Sequence, residues 1–158
     1  MAIDADTFKR VLGSWASGVT IVTSRHGELQ HGMTASAFSS VSADPPQILI
    51  CANRDSNTHT VIERSRCFSV SILAAGQEEL SNLFADKSRE DIRFDGLSCA
   101  TGATGCPRIP GALAHLDCRV VQALRAGTHV IYVGLIEAAS VQDAAPLAFF
   151  RGRYQRLT

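Results

Sequence analysis

The run Val19-Thr20-Ile21-Val22-Thr23, the turn His26-Gly27-Glu28 and the returning run at residues 29–38 constrain this chain more than any other stretch. β-Branched residues leading into a glycine turn and a second extended run read as a β-hairpin. The next run, Gln47-Ile48-Leu49-Ile50-Cys51-Ala52-Asn53, has apolar residues for both faces, and residues 67–73 alternate Phe68, Val70 and Ile72 with serines, so one face of that strand is core. The last third returns to strands: residues 112–124, a turn at Ala126-Gly127-Thr128, residues 129–136 and residues 147–154. Six or seven strands without βαβ alternation or an internal repeat predict a mainly β fold, a closed or partly split antiparallel barrel, because closure removes exposed strand edges.

Helices are few. Asp4 or Asp6 can cap a short one in which Phe8, Val11, Leu12 and Trp15 recur at helical spacing before Gly18, placed to cover one opening of the barrel. Residues 58–65 and 77–85 are two more, and a Gly/Pro-rich loop at 96–111 is long enough for a lid or a contact between subunits. At 158 residues and 46% hydrophobic, residues 1–158 form one domain that buries roughly two-thirds of the unfolded surface.

The formal net charge is zero and no Lys/Arg block is present, so neither nucleic acid nor an anionic membrane is an expected partner. The first residues lack the basic start and apolar centre of a signal peptide, and a cytoplasmic location is expected. Five cysteines without a C-x-x-C pair fit a reducing compartment, and five histidines without H-E-x-x-H argue against a metal site. Neither G-x-G-x-x-G nor a P-loop occurs.

The chemistry-bearing stretch is Gly32-Met33-Thr34-Ala35-Ser36-Ala37-Phe38-Ser39-Ser40-Val41, followed by Asp44-Pro45-Pro46, the strand ending in Cys51-Ala52-Asn53, and Ser56-Asn57-Thr58. Small residues at 34–37 let a flat ring approach the main chain, and Ser56 and Thr58 bring hydroxyls and free N–H groups to a helix N-terminus, where a phosphate is held. By spacing alone, residues 34–37 also read as close packing, Ser56 and Thr58 as ordinary helix caps, and His129 as a hydrogen-bonded structural histidine.

Taken in order, Gly18-Val19-Thr20-Ile21-Val22-Thr23, His31 to Val41, Asp44-Pro45-Pro46, Cys51-Ala52-Asn53, Ser56-Asn57-Thr58-His59, Phe84-Ala85, Arg93-Phe94 and Phe150-Arg151-Gly152-Arg153-Tyr154 resemble the short-chain flavin reductases of two-component monooxygenases. That resemblance spans nearly the whole chain. It implies a homodimeric, antiparallel Greek-key, FMN-binding split barrel with short peripheral helices. The implied activity is NADH- or NADPH-dependent reduction of FMN or FAD, with the reduced flavin passing to a separate monooxygenase.

By position, the resemblance implies flavin contacts from Met33, Thr34, Ala35, Ser36, Cys51, Ala52, Asn53 and Phe84. Ser56 and Thr58 become phosphate ligands, with Lys87 and Arg93 adding charge, and Arg151 and Tyr154 stand at the flavin or nicotinamide, or are surface and core groups. The chemistry agrees: main-chain groups and the Asn53 amide match the donor and acceptor edge of the flavin, and Cys51 has a steric role. His129 follows Gly127-Thr128 where relatives commonly read Gly-Asp-His, a segment implied to help hold the nicotinamide. A hydride transfer needs orientation and electrostatics rather than a nucleophile or metal, so the missing triad is no objection. Two rival readings are an FMN-bound oxidase of the pyridoxamine phosphate oxidase type, which would want a second basic pocket, and a non-enzymatic flavin-binding or electron-transfer protein.

Overall fold

The computed structural model describes residues 1–157. Helix α1 (Ala5–Gly13) opens the chain, with Asp4 as its cap accepting from the Thr7 N–H at 2.7 Å, and a two-residue strand β1 (Ser17–Gly18) follows. The predicted hairpin is β2 (Thr20–His26) and β3 (Leu29–Ala35), joined through Gly27, whose φ of +60° is one that glycine adopts without strain. Residues 29–38 are not one strand. The chain breaks at Ser36-Ala37 and starts a new strand, β4 (Phe38–Ala43), which pairs with β5 (Pro46–Asn53).

Helix α2 (Asn57–Ser65), β6 (Cys67–Ile72), α3 (Glu78–Ala85) and a 3₁₀ turn (Lys87–Ile92) come next. Two-residue strands β7 (Ala100–Thr101) and β8 (Pro107–Arg108) pair within the Gly/Pro-rich loop. The long hairpin β9 (Ala114–Ala126) and β10 (His129–Val141) follows, then β11 (Ala148–Phe150) and β12 (Arg153–Gln155).

The main sheet is antiparallel in the order β3-β2-β6-β9-β10-β5-β4. Its edge strands β3 and β4 are consecutive in sequence, and the Cys51 N–H donates to the Ala37 carbonyl between them at 3.3 Å, so the sheet curls until its edges meet. This is the split barrel expected from the strand pattern. The C-terminal strands do not join the barrel; β11 and β12 form a separate three-stranded sheet with β1.

Two cores fill the molecule. One, inside the barrel, collects alternate residues such as Val22, Ile50, Phe68, Val70, Cys118 and Tyr132, with Ile62 of α2 packed among them. Gly134 is where β10 crosses Phe68: a Cβ there would lie 2.6 Å from the Phe68 ring, so only glycine allows this approach. The second core joins Val19, Ile21 and Leu73 to Phe84 of α3 and to Ile109, Ala112 and Leu147.

The expectation that the N-terminal helix covers a barrel opening is corrected here. α1 has no buried residue, and Phe8, Val11, Leu12 and Trp15 are 52–77% exposed. The chain leaves α1 to pair β1 with β11, which holds the helix away from the barrel; α2, with Val61 and Ile62 buried, packs against β2, β3, β5 and β6 instead.

Candidate functional site

The Ala37–Cys51 contact brings the ends of β3 and β5 side by side, so Thr34, Ala35 and Ser36 lie next to Cys51, Ala52 and Asn53. Ala35 and Ala52 face inward and are buried, Ser36 and Asn53 are exposed, and Met33 packs its side chain on the barrel core. The Thr34 hydroxyl donates to the Ser81 carbonyl on α3 at 2.6 Å, which ties that helix to the strand. Burial pushes the Cys51 thiol above its ordinary value, so it stays protonated and acts through its shape.

β5 ends in a tight turn that delivers a helix. The Asn53 carbonyl accepts from the Ser56 N–H at 3.0 Å and the Ser56 hydroxyl at 2.8 Å, and Asn53 Oδ1 accepts from the Asp55 N–H at 2.9 Å. Ser56 then caps α2, its Oγ accepting from the His59 N–H at 3.1 Å. Among the described residues the N–H groups of Asn57 and Thr58 have no acceptor, and the Asn53 amide nitrogen is also free. These donors sit at the positive end of α2, beside the small-residue strands.

Behind this edge lies a network that the sequence did not disclose. His31 Nδ1 is 2.7 Å from the Thr58 hydroxyl, and Asn57 donates to Glu90 Oε2 at 2.6 Å, with Glu90 3.6 Å from His31 Nε2. His31, Asn57 and Glu90 share a cleft of about 430 Å³ with Gln30, Asp91 and Phe94. Burial holds the His31 imidazole below its ordinary value, and Glu90 opposes this only in part. These partners lie about thirty residues apart in sequence, and no local pattern announces such pairs.

The basic residues divide. Lys87 is exposed on the 3₁₀ turn, whereas Arg93 is 3% exposed and spends its guanidinium on three carbonyls: Gly32 at 2.8 Å, Asp86 at 2.9 Å and Leu83 at 3.2 Å. Arg93 thereby fastens β3 to α3 and the turn. Phe84 is fully buried, edge-on to Phe94 at 5.3 Å, and lies directly beneath Gly32. Tyr154 packs on α3, its hydroxyl 2.8 Å from Ser81 Oγ and 2.7 Å from Asn82 Oδ1.

His129 begins β10 directly opposite Asn53, and its Nδ1 is 2.9 Å from the Thr128 hydroxyl. It is exposed, so the ring stands at the rim beside the β5 turn. Arg151 and Ser36 line a second cleft, of about 590 Å³, together with Phe8, Leu12, Trp15, Phe38, Leu49 and Phe149.

A helix N-terminus with unsatisfied N–H groups and a free amide, beside strand ends of small residues, suits a planar ring carrying a phosphate. Residues 12–158 match the family described as flavin reductase like domain. The reductase component of the 4-nitrophenol 4-monooxygenase/4-nitrocatechol 2-monooxygenase of Rhodococcus opacus is 38% identical over 96% of this chain and 80% of its own length. The FMN reductase (NADH) RutF of Escherichia coli is 40% identical over 98% of this chain and 95% of its own. Among solved structures, the NADH:FAD oxidoreductase SgcE6 of Streptomyces globisporus superposes with a TM-score of 0.92 at 35% identity, covering 100% of this chain and 98% of its own. The chain belongs to the flavin reductase family and is an oxidoreductase of that class.

Proposed function

We propose that this chain oxidises NADH or NADPH, reduces FMN or FAD in the groove between β3 and β5, and releases the reduced flavin to a separate monooxygenase. The observation that carries the reading is the gathering of unsatisfied donors, from Asn53, Asn57 and Thr58, beside small-residue strand ends. A flavin supplies there a ring able to take up a hydride from a reduced nicotinamide.

The chain's own residues bind and orient. Thr34, Ala35 and Ser36, with Cys51 and Ala52, form walls without bulk, so a ring lies against main chain and finds peptide donors and acceptors. The Asn53 amide donates at the rim, where fixed donors stabilise negative charge on a reduced ring. Ser56 and the first N–H groups of α2 hold the phosphate, with the exposed Lys87 adding charge and Arg93 bracing β3. His129, opposite Asn53, helps hold the nicotinamide, with the Thr128 hydroxyl beside its Nδ1.

The protein acts as a homodimer in this reading. The apolar face of α1 has no cover within the chain, and it borders a cleft with Phe38, Leu49 and Phe149 that a second copy would close. Replacing Trp15 by Ser should then shift the sedimenting species from dimer to monomer.

The deciding experiment follows absorbance at 340 nm with NADH and with NADPH, each with and without added FMN or FAD. Turnover that requires added flavin establishes the reductase and identifies both substrates. A chain that binds flavin but oxidises neither nucleotide is an electron carrier or an oxidase, and one that binds no flavin overturns the site.

A further inference from the structure

Two thiols that no step above uses meet in the interior. Cys67, the first residue of β6, and Cys106, just before β8, have their sulfurs 3.4 Å apart. Both are buried, Cys106 completely and Cys67 to 8% exposure, so only the Cys67 side has any opening to solvent. Cys67 Sγ is also 3.5 Å from the Thr104 carbonyl. Cys106 in turn closes a tight loop, its carbonyl accepting from the Gly102 N–H at 2.8 Å. That loop is anchored by the Ala103 N–H to Asp117 at 2.9 Å, so the two sulfurs are held in place from both sides.

We propose that Cys67 and Cys106 form a reversible intramolecular disulfide, with Cys67 as the residue that meets the oxidant and Cys106 as the residue that resolves it. The oxidant is hydrogen peroxide, which reduced flavin makes when it gives two electrons and two protons to dioxygen; this source of peroxide rests on the reductase reading. In the first step the Cys67 thiolate attacks one peroxide oxygen. The O–O bond breaks, an S–O bond forms, and the departing hydroxide takes a proton to become water. In the second step Cys106 sulfur attacks Cys67 sulfur, the S–S bond forms, the S–O bond breaks, and the leaving hydroxide takes the Cys106 proton as the second water. Two sulfurs are oxidised by two electrons in all, and one peroxide is reduced to two waters.

The asymmetry of the pair supports this order. The Cys106 thiol donates to Cys67, which lowers the Cys67 pKa against the opposing effect of burial, with Ser65 and Arg119 adding to the lowering. The same contact raises that of Cys106. Closing the sulfurs from 3.4 Å to about 2.05 Å joins the start of β6 to the loop at residues 96–111. Cys51, Cys99 and Cys118 have no sulfur partner within hydrogen-bonding reach among the described residues.

The test starts from fully reduced protein exposed to reagent peroxide, then alkylated and mapped by mass spectrometry without reductant. The expected product is a linked peptide containing Cys67 and Cys106 that dithiothreitol separates. Cys106→Ser keeps a donor beside Cys67 and should accumulate a Cys67 sulfenic acid that dimedone traps, whereas Cys67→Ser should leave Cys106 reduced and slow thiol loss roughly tenfold. Even thiol loss over all five cysteines, or no linked peptide in the unmutated protein, overturns the pairing. A second arm runs NADH oxidation with flavin in air, with and without catalase. Linking that catalase abolishes supports peroxide from turnover, and a pair that reagent peroxide links but turnover leaves reduced overturns that source. Failure of the reductase reading would show separately, as a flat 340 nm trace, and leaves the reagent arm intact.

Discussion

Two polar clusters sit at the two ends of the same sheet, and they are built on opposite principles. Both carboxylate oxygens of Asp117 are answered: the side chain is fully buried on β9, accepts from Ser69 Oγ at 3.0 Å and the Ala103 N–H at 2.9 Å, and is held in a two-point ion pair by Arg108. Around Asn53 and the start of α2, donors point outward and go unanswered. A satisfied buried cluster fixes the fold, and an unsatisfied exposed one is a place for a ligand. The two differ further in sequence reach. Asp117 gathers the barrel and the loop at 96–111 into one knot, while residues 53–58 form a local turn.

The largest effect should come from breaking the closed cluster. Asp117→Ala leaves Arg108, Ser69 and the Ala103 N–H without their acceptor, and should cost about 3 kcal/mol of stability, read as a lower urea midpoint. Flavin affinity of the folded fraction should stay unchanged. An Asp117→Ala protein with wild-type stability would show that satisfaction of this cluster contributes nothing, and the contrast would fail.

The open cluster should respond the other way. Ser56→Ala removes the α2 cap, at about 1 kcal/mol of stability, and should weaken flavin binding roughly tenfold, equal to about 1.4 kcal/mol. Fluorescence titration with FMN reads the second effect. A stability loss with no change in affinity would make Ser56 a cap and nothing more.

How far the sequence disclosed these clusters follows from their range. The hairpin of β2 and β3, the long hairpin of β9 and β10, and the helices at 57–65 and 78–85 were legible because period and turn chemistry act over neighbouring residues. The break at Ser36-Ala37 was not: residues 29–38 read as one strand, and only the meeting of the sheet's edges separates β3 from β4. The apolar spacing of α1 marks one face of a helix, but spacing names a face without saying what covers it, and the expected cover over a barrel opening is not what the helix provides. At the candidate site, Asn53, Ser56 and Thr58 could be named from a contiguous motif, whereas His31 and Glu90, which brace Thr58 and Asn57, could not. Nor did Asp117 or Arg108 stand out, since a lone carboxylate on an alternating strand looks solvent-facing until the loop folds over it.

Thr58 tests the open cluster at its back, because it faces two ways. Its hydroxyl is buried against His31, while its N–H belongs to the open helix end. Thr58→Ala should therefore cost about 1 kcal/mol of stability and weaken flavin binding severalfold, more than Thr128→Ala does. Equal flavin affinities in the two variants would sink the phosphate assignment at this turn.

The smallest effect is a pH dependence that sets the two clusters apart by window. Burial lowers the pKa of His31 in the folded chain, so the fold favours the neutral ring. The stability this gives is present above the ordinary value of 6.5 and is lost as pH falls below it toward the folded value. For Asp117, burial pushes the carboxyl upward but the Arg108, Ala103 and Ser69 donors outweigh it. Its net lowering means that its contribution persists through that range and is lost only as pH falls below the ordinary carboxyl value of 3.8. Urea unfolding of the unmutated protein and of His31→Gln, run from about pH 7.5 down to about pH 5, separates the two. Their stability difference should be flat at the upper end and move against the unmutated protein as pH falls through 6.5. A difference that stays constant over the whole range would mean that His31 titrates alike folded and unfolded, and that the open cluster is as exposed behind Thr58 as it is in front.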